Sequence, residues 1–325
     1  MSITVLKPGL LCSVQDRGRP GHAALGLGRA GALDLPAWQL ANALVGNRGD
    51  EAALEFSLLG PTLHFAQDAW IALTGAVDQV QVDGTQLPGW SCLFVPAGST
   101  LQVGPLRQGC RGYLAVRGGV ALSPQLGSRS SDLHAGVGPL PRCLQAGDVL
   151  PIGPATPLAA LPAGVTARAL RWGVDPAPWR DLSARPLALL PGSHQAQLDD
   201  DSLHALWQSR WRIGQDSNRT ASRLQGPRLS LRAPLELISE ACLPGTVQLP
   251  PSGQPIALLA EAPVTGGYPR IGQLAQVDLP RLAQQRPGDS VSFEPCTLEQ
   301  AWQRLQRRQH ALTRLCHNIA RRLQP

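Results

Sequence analysis

No Cys-x-x-Cys pair occurs among the seven cysteines (Cys12, Cys92, Cys110, Cys143, Cys242, Cys296 and Cys316), which are odd in number and scattered. That pattern argues against a disulfide framework or a zinc site; no metal is expected, and a reducing cytoplasm is the natural home. Lysine is nearly missing: Lys7 is the only one, and every other basic side chain is an arginine. A phosphate surface would use both types, so the formal charge of +6 is a poor sign of nucleic acid. Its location points the same way. Residues 297–325 hold six arginines against one acid, Glu299, and the rest of the chain is close to neutral. The basic excess is one helix rather than a footprint across a domain, so no nucleic-acid partner is expected. Long apolar runs are missing too. None reaches the ~18 residues of a membrane span, so no membrane partner is expected. The N-terminal segment has no basic start and is broken by Lys7-Pro8-Gly9, so it does not read as a signal peptide. Neither a G-x-x-x-x-G-K-S/T phosphate loop nor a G-x-S-x-G nucleophile elbow is present, which sets aside the standard nucleotide site and the serine hydrolase.

What the chain has is glycine and proline, 34 and 30 of them, spread without a period. Such punctuation implies many turns and short elements, favouring β structure over helical bundles. At 325 residues, 43% of them hydrophobic, the chain suits two domains. The expected division is a β-barrel domain over 1–153, a Pro/Ala-rich connector over 154–186, a second barrel over 187–296 and a basic amphipathic helix over 297–325. Strands are expected at 3–6, 10–14, 62–65, 69–74, 79–82, 91–95, 101–103 and 112–116. In the second half they fall at 187–190 and 211–213, with a short helix near 202–209 and a loop over 216–223. Spacing of about ten residues per strand is a sandwich or barrel signature. The fold class is all-β, with two barrel units, a few short helices and the terminal helix.

Gly26-Leu27-Gly28-Arg29-Ala30-Gly31 matches G-x-G-x-x-G, but only four residues follow Gly21 before it, too few for the buried strand a dinucleotide site requires. The helix that follows takes Asp34 as its N-cap and ends at Gly46. Thr297-Leu298-Glu299-Gln300 is a capping box, and Leu298, Ala301, Trp302, Leu305, Leu312, Leu315, Ile319 and Leu323 share one helical face. An echo links the halves: Leu59-Gly60-Pro61 matches Gln225-Gly226-Pro227, and Gly147-Asp148 matches Gly288-Asp289.

The stretch 239–272 carries the most chemistry. Two apolar runs, Thr246-Val247-Gln248-Leu249 and Ile256-Ala257-Leu258-Leu259, alternate with Gly and Pro, so strands joined by tight turns are expected. Glu240, Gln248, Gln254, Glu261 and Thr265 each lie within a few residues of a Gly or Pro, and Gly266-Gly267-Tyr268-Pro269 lets backbone approach a ligand closely. Two plain hairpins with polar residues in water fit the pattern equally well. In the first half, Gln15-Asp16-Arg17-Gly18-Arg19 either holds an anion or ties down its own turn, and Arg117-Gly118-Gly119 presents a cation beside flexible backbone.

A family resemblance rests on motifs along most of the chain: Val14-Gln15-Asp16-Arg17-Gly18-Arg19, Gly31-Ala32-Leu33-Asp34, Val116-Arg117-Gly118-Gly119, Gly127-Ser128-Arg129-Ser130, Arg223-Leu224-Gln225-Gly226-Pro227, Gly253-Gln254-Pro255 and, most specific, Thr265-Gly266-Gly267-Tyr268-Pro269-Arg270-Ile271. Together they resemble the family of the 5-oxoprolinase C subunit, also called KipA-like or allophanate hydrolase subunit 2, and half of the carboxyltransferase domain of urea carboxylases. The resemblance implies cyclophilin-like barrels and a complex of three kinds of chain. This one would join a KipI-like partner (the B subunit) and a third chain (the A subunit) to open 5-oxoproline to glutamate at the expense of ATP. Two departures stand out: the family's Met-Gly-Tyr is Thr220-Ala221-Ser222 here, and its Asp-x-x-Thr-Thr is Glu261-Ala262-Pro263-Val264-Thr265.

A lactam is stable, so opening it requires an activated oxygen and donors for the developing oxyanion. On this reading Glu240, Glu261 and Tyr268 are the catalytic candidates. Arg219, Arg223, Arg117, Arg17 and Arg19 would clamp phosphate or carboxylate. Gln248, Gln254 and Thr265 would orient the small amide or lactam, and the Gly266 and Gly267 amides would receive an oxyanion. ATP would bind with or on the KipI-like partner, and the chain would be inactive alone. Two other classes compete: a regulatory protein that sequesters a KipI-like kinase inhibitor, and a urea or amide carboxyltransferase. The latter would need biotin on another chain, since no Met-Lys occurs here.

Overall fold

In Thr62-Leu63-His64-Phe65, Leu63 and Phe65 are buried while Thr62 and His64 face partly outward, the period of two that a strand imposes. The same alternation builds a mostly β molecule, as the sequence implies. The computed structural model describes residues 2–156, 158, 164–181, 183 and 185–324; Pro157 and Pro162, part of the Pro/Ala-rich stretch, lie outside them. Contacts divide the chain into two units, Met1–Arg19 with Asp34–Asp181 and Ala311–Pro325, and Pro20–Leu33 with Leu182–His310.

The first unit contains β1 (Ser2–Lys7), β2 (Ser13–Gln15), α1 (Leu35–Leu44), β3 (Ala53–Ser57), β4 (Thr62–Phe65), β5 (Ala69–Gly75), β6 (Gln79–Val82), β7 (Thr85–Pro88), β8 (Ser91–Val95), β9 (Thr100–Gln102), β10 (Arg111–Val116), β11 (Val149–Pro151) and β12 (Arg168–Gly173). They form two six-stranded sheets, ordered β11-β1-β4-β9-β6-β7 and β12-β8-β5-β10-β3-β2. One apolar core joins them, with Ile3, Val5 and Leu63 from one sheet and Leu54, Phe56, Ile71 and Leu114 from the other. Strands β5 and β10 are buried at every position because α1 covers their outer face. Asp34 caps α1 as expected, accepting from the Ala37 amide at 3.1 Å, and Thr74 Oγ1 donates to the Ala37 carbonyl at 2.7 Å. The strand expected over 10–14 is shorter: Gly9 (φ 72°) and Leu11 (φ 49°) turn the chain, and pairing starts at Ser13.

The second unit contains β13 (Leu187–Pro191), α2 (Asp200–Gln208), β14 (Trp211–Ile213), β15 (Ala221–Gln225), β16 (Glu240–Ala241), β17 (Thr246–Gln248), β18 (Ile256–Leu258), β19 (Thr265–Gly266), β20 (Arg270–Leu274), α3 (Leu279–Ala283), β21 (Ser290–Val291) and β22 (Phe293–Pro295). Eight strands form one sheet in the order β21-β14-β15-β18-β17-β20-β13-β22. Its two edge strands are separated by Ser292 alone, so the sheet curls into a nearly closed barrel. Trp211, Leu224, Val247, Ala257 and Ile271 fill it. Residues 221–223, expected in a loop, instead pair with β18, because Ala221 and Ser222 supply buried positions opposite Leu258 and Ala257. The remaining strands, β16 and β19, form a separate two-stranded ladder.

The two halves share a turn. Gly147 (φ 91°) and Gly288 (φ 97°) adopt left-handed backbone. The following Asp148 and Asp289 each accept, at 2.8 Å, from the amide three residues earlier, Gln145 and Arg286. The last helix, α4 (Leu298–Leu323), opens on the expected capping box: Gln300 Oε1 accepts from the Thr297 amide and Thr297 Oγ1 from the Gln300 amide, at 3.0 and 3.2 Å. Ala301, Leu312 and Ile319 are buried, but Leu298 and Trp302 of the same stripe are exposed. Periodicity selects the face of a helix; it does not say how much of that face is covered. No helix among the described residues is long and apolar enough to cross a membrane.

Candidate functional site

The β16–β19 ladder gathers the chemistry of the second unit. Its register sets Glu240 opposite Gly266 and Ala241 opposite Thr265. Gln248, at the end of β17, is buried beneath it and donates through Nε2 to the Cys242 thiol at 3.4 Å. Gly266 leaves room for the amide: a Cβ at this position would lie 2.4 Å from Gln248 Nε2, the far end of that side chain, and 3.2 Å from Cys242 Sγ. Arg270, opposite Gln248 across β17 and β20, donates to the Glu240 carboxylate and, at 3.2 Å, to the Ala241 carbonyl. Tyr268 stands partly exposed on the connection between β19 and β20. Burial raises the Cys242 thiol above its ordinary value, and the Gln248 amide opposes this. Cys242 is thereby a packing partner for Gln248 and a poor nucleophile at neutral pH.

Glu240, Gln248, Thr265 and Gly266 are therefore assembled in one place, followed directly by Gly267 and Tyr268. The other expected residues of this unit lie in different surroundings. Arg219 and Glu261 are buried together, Nε to Oε1 at 2.5 Å, and Arg219 Nη2 also donates to the Gly31 carbonyl at 2.7 Å. Gln254 clasps the Gly226 backbone, accepting from its amide at 2.8 Å and donating to its carbonyl at 3.1 Å. Arg223 points outward near Asp216, at 3.6 Å.

Three expected arginines belong to the first unit. Arg17 is exposed beside Asp50 at 3.5 Å. Arg19 is buried and donates to the Ser130 carbonyl, 3.8 Å from Asp132. Arg117 donates to the Val45 carbonyl at 2.7 Å and to that of Thr156. The neighbouring Asp16 is the hub of a loop clasp, accepting from the hydroxyls of Ser128 and Ser130 and from the amides of Gly18 and Arg129. Of the two readings of that motif, the tied-down turn describes Asp16.

Sequence reasoning passed over two side chains next to the ladder. Arg270 had a signal, since it ends the Thr265-Gly266-Gly267-Tyr268-Pro269 motif. His194 had none: it meets Arg270 across 76 positions, accepting its backbone amide at Nδ1 at 3.1 Å.

Two β units, the second a nearly closed barrel with a polar ladder of carboxylate, amide and guanidinium beside it, define a mostly β protein. More narrowly, the chain belongs to the carboxyltransferase domain family, subdomains A and B, whose model matches residues 25–295. The resemblance read from the motifs holds over nearly the whole chain. The 5-oxoprolinase C subunit of Escherichia coli (strain K12) is 39% identical over 319 residues, covering 98% of each chain. A crystal structure of TTHA0988 is similar with a TM-score of 0.76 at 37% identity, over 90% of this chain and 55% of that one. The Kluyveromyces lactis urea carboxylase structure gives a TM-score of 0.86 at 26% identity, over 98% of this chain and 29% of that one. The chain thus spans about half of the first solved structure and under a third of the second.

Proposed function

We propose that this chain is the C subunit of an ATP-dependent 5-oxoprolinase, inactive alone, that opens a lactam to the amino acid together with its KipI-like B and third, A, partners. The observation that carries this reading is the end-to-end match with the E. coli protein of that name. The β16–β19 ladder supports it chemically. Glu240 is a carboxylate placed for proton transfer, Gln248 an amide held in a fixed orientation, and the Gly266-Gly267 backbone a surface that a planar amide can approach closely.

ATP does not fit the glycine run of this chain. Gly28 packs against the Ala262 carbonyl, 2.9 Å from where a Cβ would stand, and the Ala30 amide is taken by the Ala260 carbonyl at 2.9 Å. Carbonyl oxygens there would repel phosphate. The proposal keeps ATP with or on the KipI-like partner, and no step at the ladder is routed through it.

A second reading is favoured by the likeness to urea carboxylase: transfer of a carboxyl group to an amide, with biotin carried on another chain. Lys7, the only lysine, follows leucine rather than methionine. Co-purifying the chain with its two partners and assaying ATP hydrolysis against lactams and ureas separates the readings. Lactam-dependent turnover is expected. Turnover only with ureas and a biotinylated carrier favours the second, and no stimulated turnover by any assembly contradicts both.

A further inference from the structure

We propose that His194 and Arg270 form a carboxylate-recognising corner of the ladder site, in which His194 acts as a neutral hydrogen-bond donor through Nε2. The inference rests on the functional reading above and names the part of the ligand this corner meets.

The chain is built to bring the two together. After β13, Gly192 lies so close to β20 that a Cβ would stand 2.3 Å from the Arg270 carbonyl and 2.4 Å from the Gly272 amide nitrogen. That approach lets the His194 amide donate to the Arg270 carbonyl at 2.9 Å, while the Arg270 amide donates back to His194 Nδ1 at 3.1 Å. A backbone amide can only donate, so Nδ1 carries the lone pair and the proton of the neutral ring sits on Nε2. The Ser193 hydroxyl lies 3.3 Å from Nδ1 and, with that tautomer, is the donor of the contact. Burial, and then the Arg270 guanidinium, hold the imidazole pKa below its ordinary value, so the ring stays neutral at physiological pH. Nε2–H has no partner among the described residues.

Arg270 is likewise only partly engaged. One nitrogen serves the Glu240 carboxylate and another the Ala241 carbonyl, leaving other N–H donors of the planar fork unused by described residues. The Arg270 guanidinium, whose charge reaches the ring, and the imidazole Nε2–H each keep a donor that no described residue takes, and donors of this kind suit a carboxylate oxygen pair. Glu240 keeps the fork in place without saturating it. If His194 served only to splice the end of β13 to β20, its Nδ1 contact would suffice and Nε2 would be indifferent to ligands.

The test uses the full-length chain, alone and in complex with its two partners, with 15N-labelled histidine. Two probes differ only in the carboxylate: 5-oxoproline and 2-pyrrolidinone. The expected spectrum shows His194 as the Nε2–H tautomer at pH 7. Its Nε2–H resonance should move with 5-oxoproline and stay still with 2-pyrrolidinone. His194→Asn, whose Oδ1 can still accept the Arg270 amide but which has no donor at the Nε2 position, should raise KM for 5-oxoproline in the complex about tenfold or more with kcat little changed, the size of one lost bond to a charged group. An Nδ1–H tautomer, a silent resonance in both preparations, or equal response to both probes overturns the inference, whether or not the variant folds. Lactam-dependent turnover with a silent imidazole sinks this inference alone; a responsive imidazole in a complex without turnover sinks the functional reading alone.

Discussion

The Arg219 guanidinium meets the Glu261 carboxylate at 2.5 Å, with 4% and 2% of the two side chains exposed. The pair also secures neighbouring backbone: the Glu261 amide donates to the Arg219 carbonyl at 3.1 Å, and Arg219 Nη2 to the Gly31 carbonyl. Removing one partner leaves a buried charge uncompensated. Glu261→Ala is expected to lower unfolding stability by about 3–5 kcal/mol, and the apolar double variant Arg219→Met/Glu261→Leu by distinctly less. Urea denaturation of the three proteins checks this; equal stability of Glu261→Ala and the parent would refute a structural role.

Gly266→Ala isolates the ladder from the fold. The new Cβ meets the far end of the Gln248 side chain, which can swing away, so stability should change by about 1 kcal/mol or less. The Gln248 amide, however, is displaced from its position between Cys242 and the ladder. Turnover by the assembled complex should fall by about ten- to a hundredfold. Full activity with intact folding would separate Gln248 from the chemistry.

Much of the fold was legible because strand and turn signals fell together. Residues 62–65, 79–82, 91–95 and 211–213 were bounded correctly, each being short and flanked by Gly, Pro or Asp. Leu10 and Leu11 look like strand residues, yet the left-handed backbone at Leu11 comes from how residues 9–11 turn against Leu59, whose carbonyl the Leu10 amide reaches at 2.9 Å. At the site, Glu240, Gln248 and Gly266 were visible as polar residues beside turns. The Arg219–Glu261 pair, 42 positions apart, and the His194–Arg270 pair, 76 apart, were not, because tertiary closure of the barrel alone brings each together.

Asp148 gives a pH dependence of known sign. The Arg142 guanidinium, at 2.7 and 2.8 Å, and the Gln145 amide hold its carboxyl below the usual range. A carboxyl lowered on folding stabilises fully above its unfolded pKa of about 4 and loses that contribution as pH falls through the folded value. Asp148→Asn should therefore melt below the parent at pH 7, and the gap should close below about pH 4. Thermal unfolding across pH 3–7 measures it; a gap that widens on acidification would contradict the pairing.

All seven cysteines are free thiols. Burial pushes Cys92 up to about 12 and Cys316 up to about 11, so almost no thiolate exists at either near neutral pH. Iodoacetamide at pH 7.5 should leave both unmodified in the native chain and label them readily after unfolding in guanidinium. Mass spectrometry of tryptic peptides reads the outcome, and fast native labelling of Cys92 would show that its surroundings are open.

The central claim is that the ladder of β16 and β19 is where the lactam is opened, and Glu240→Gln tests it most directly. This substitution removes the carboxylate while keeping a group that Arg270 can still reach. Lactam-dependent ATP hydrolysis by the complete complex is predicted to drop about a hundredfold or more, in line with loss of an acid–base group, with circular dichroism and assembly of the complex unchanged. Turnover equal to the parent's, from a variant that folds and assembles, would contradict the account.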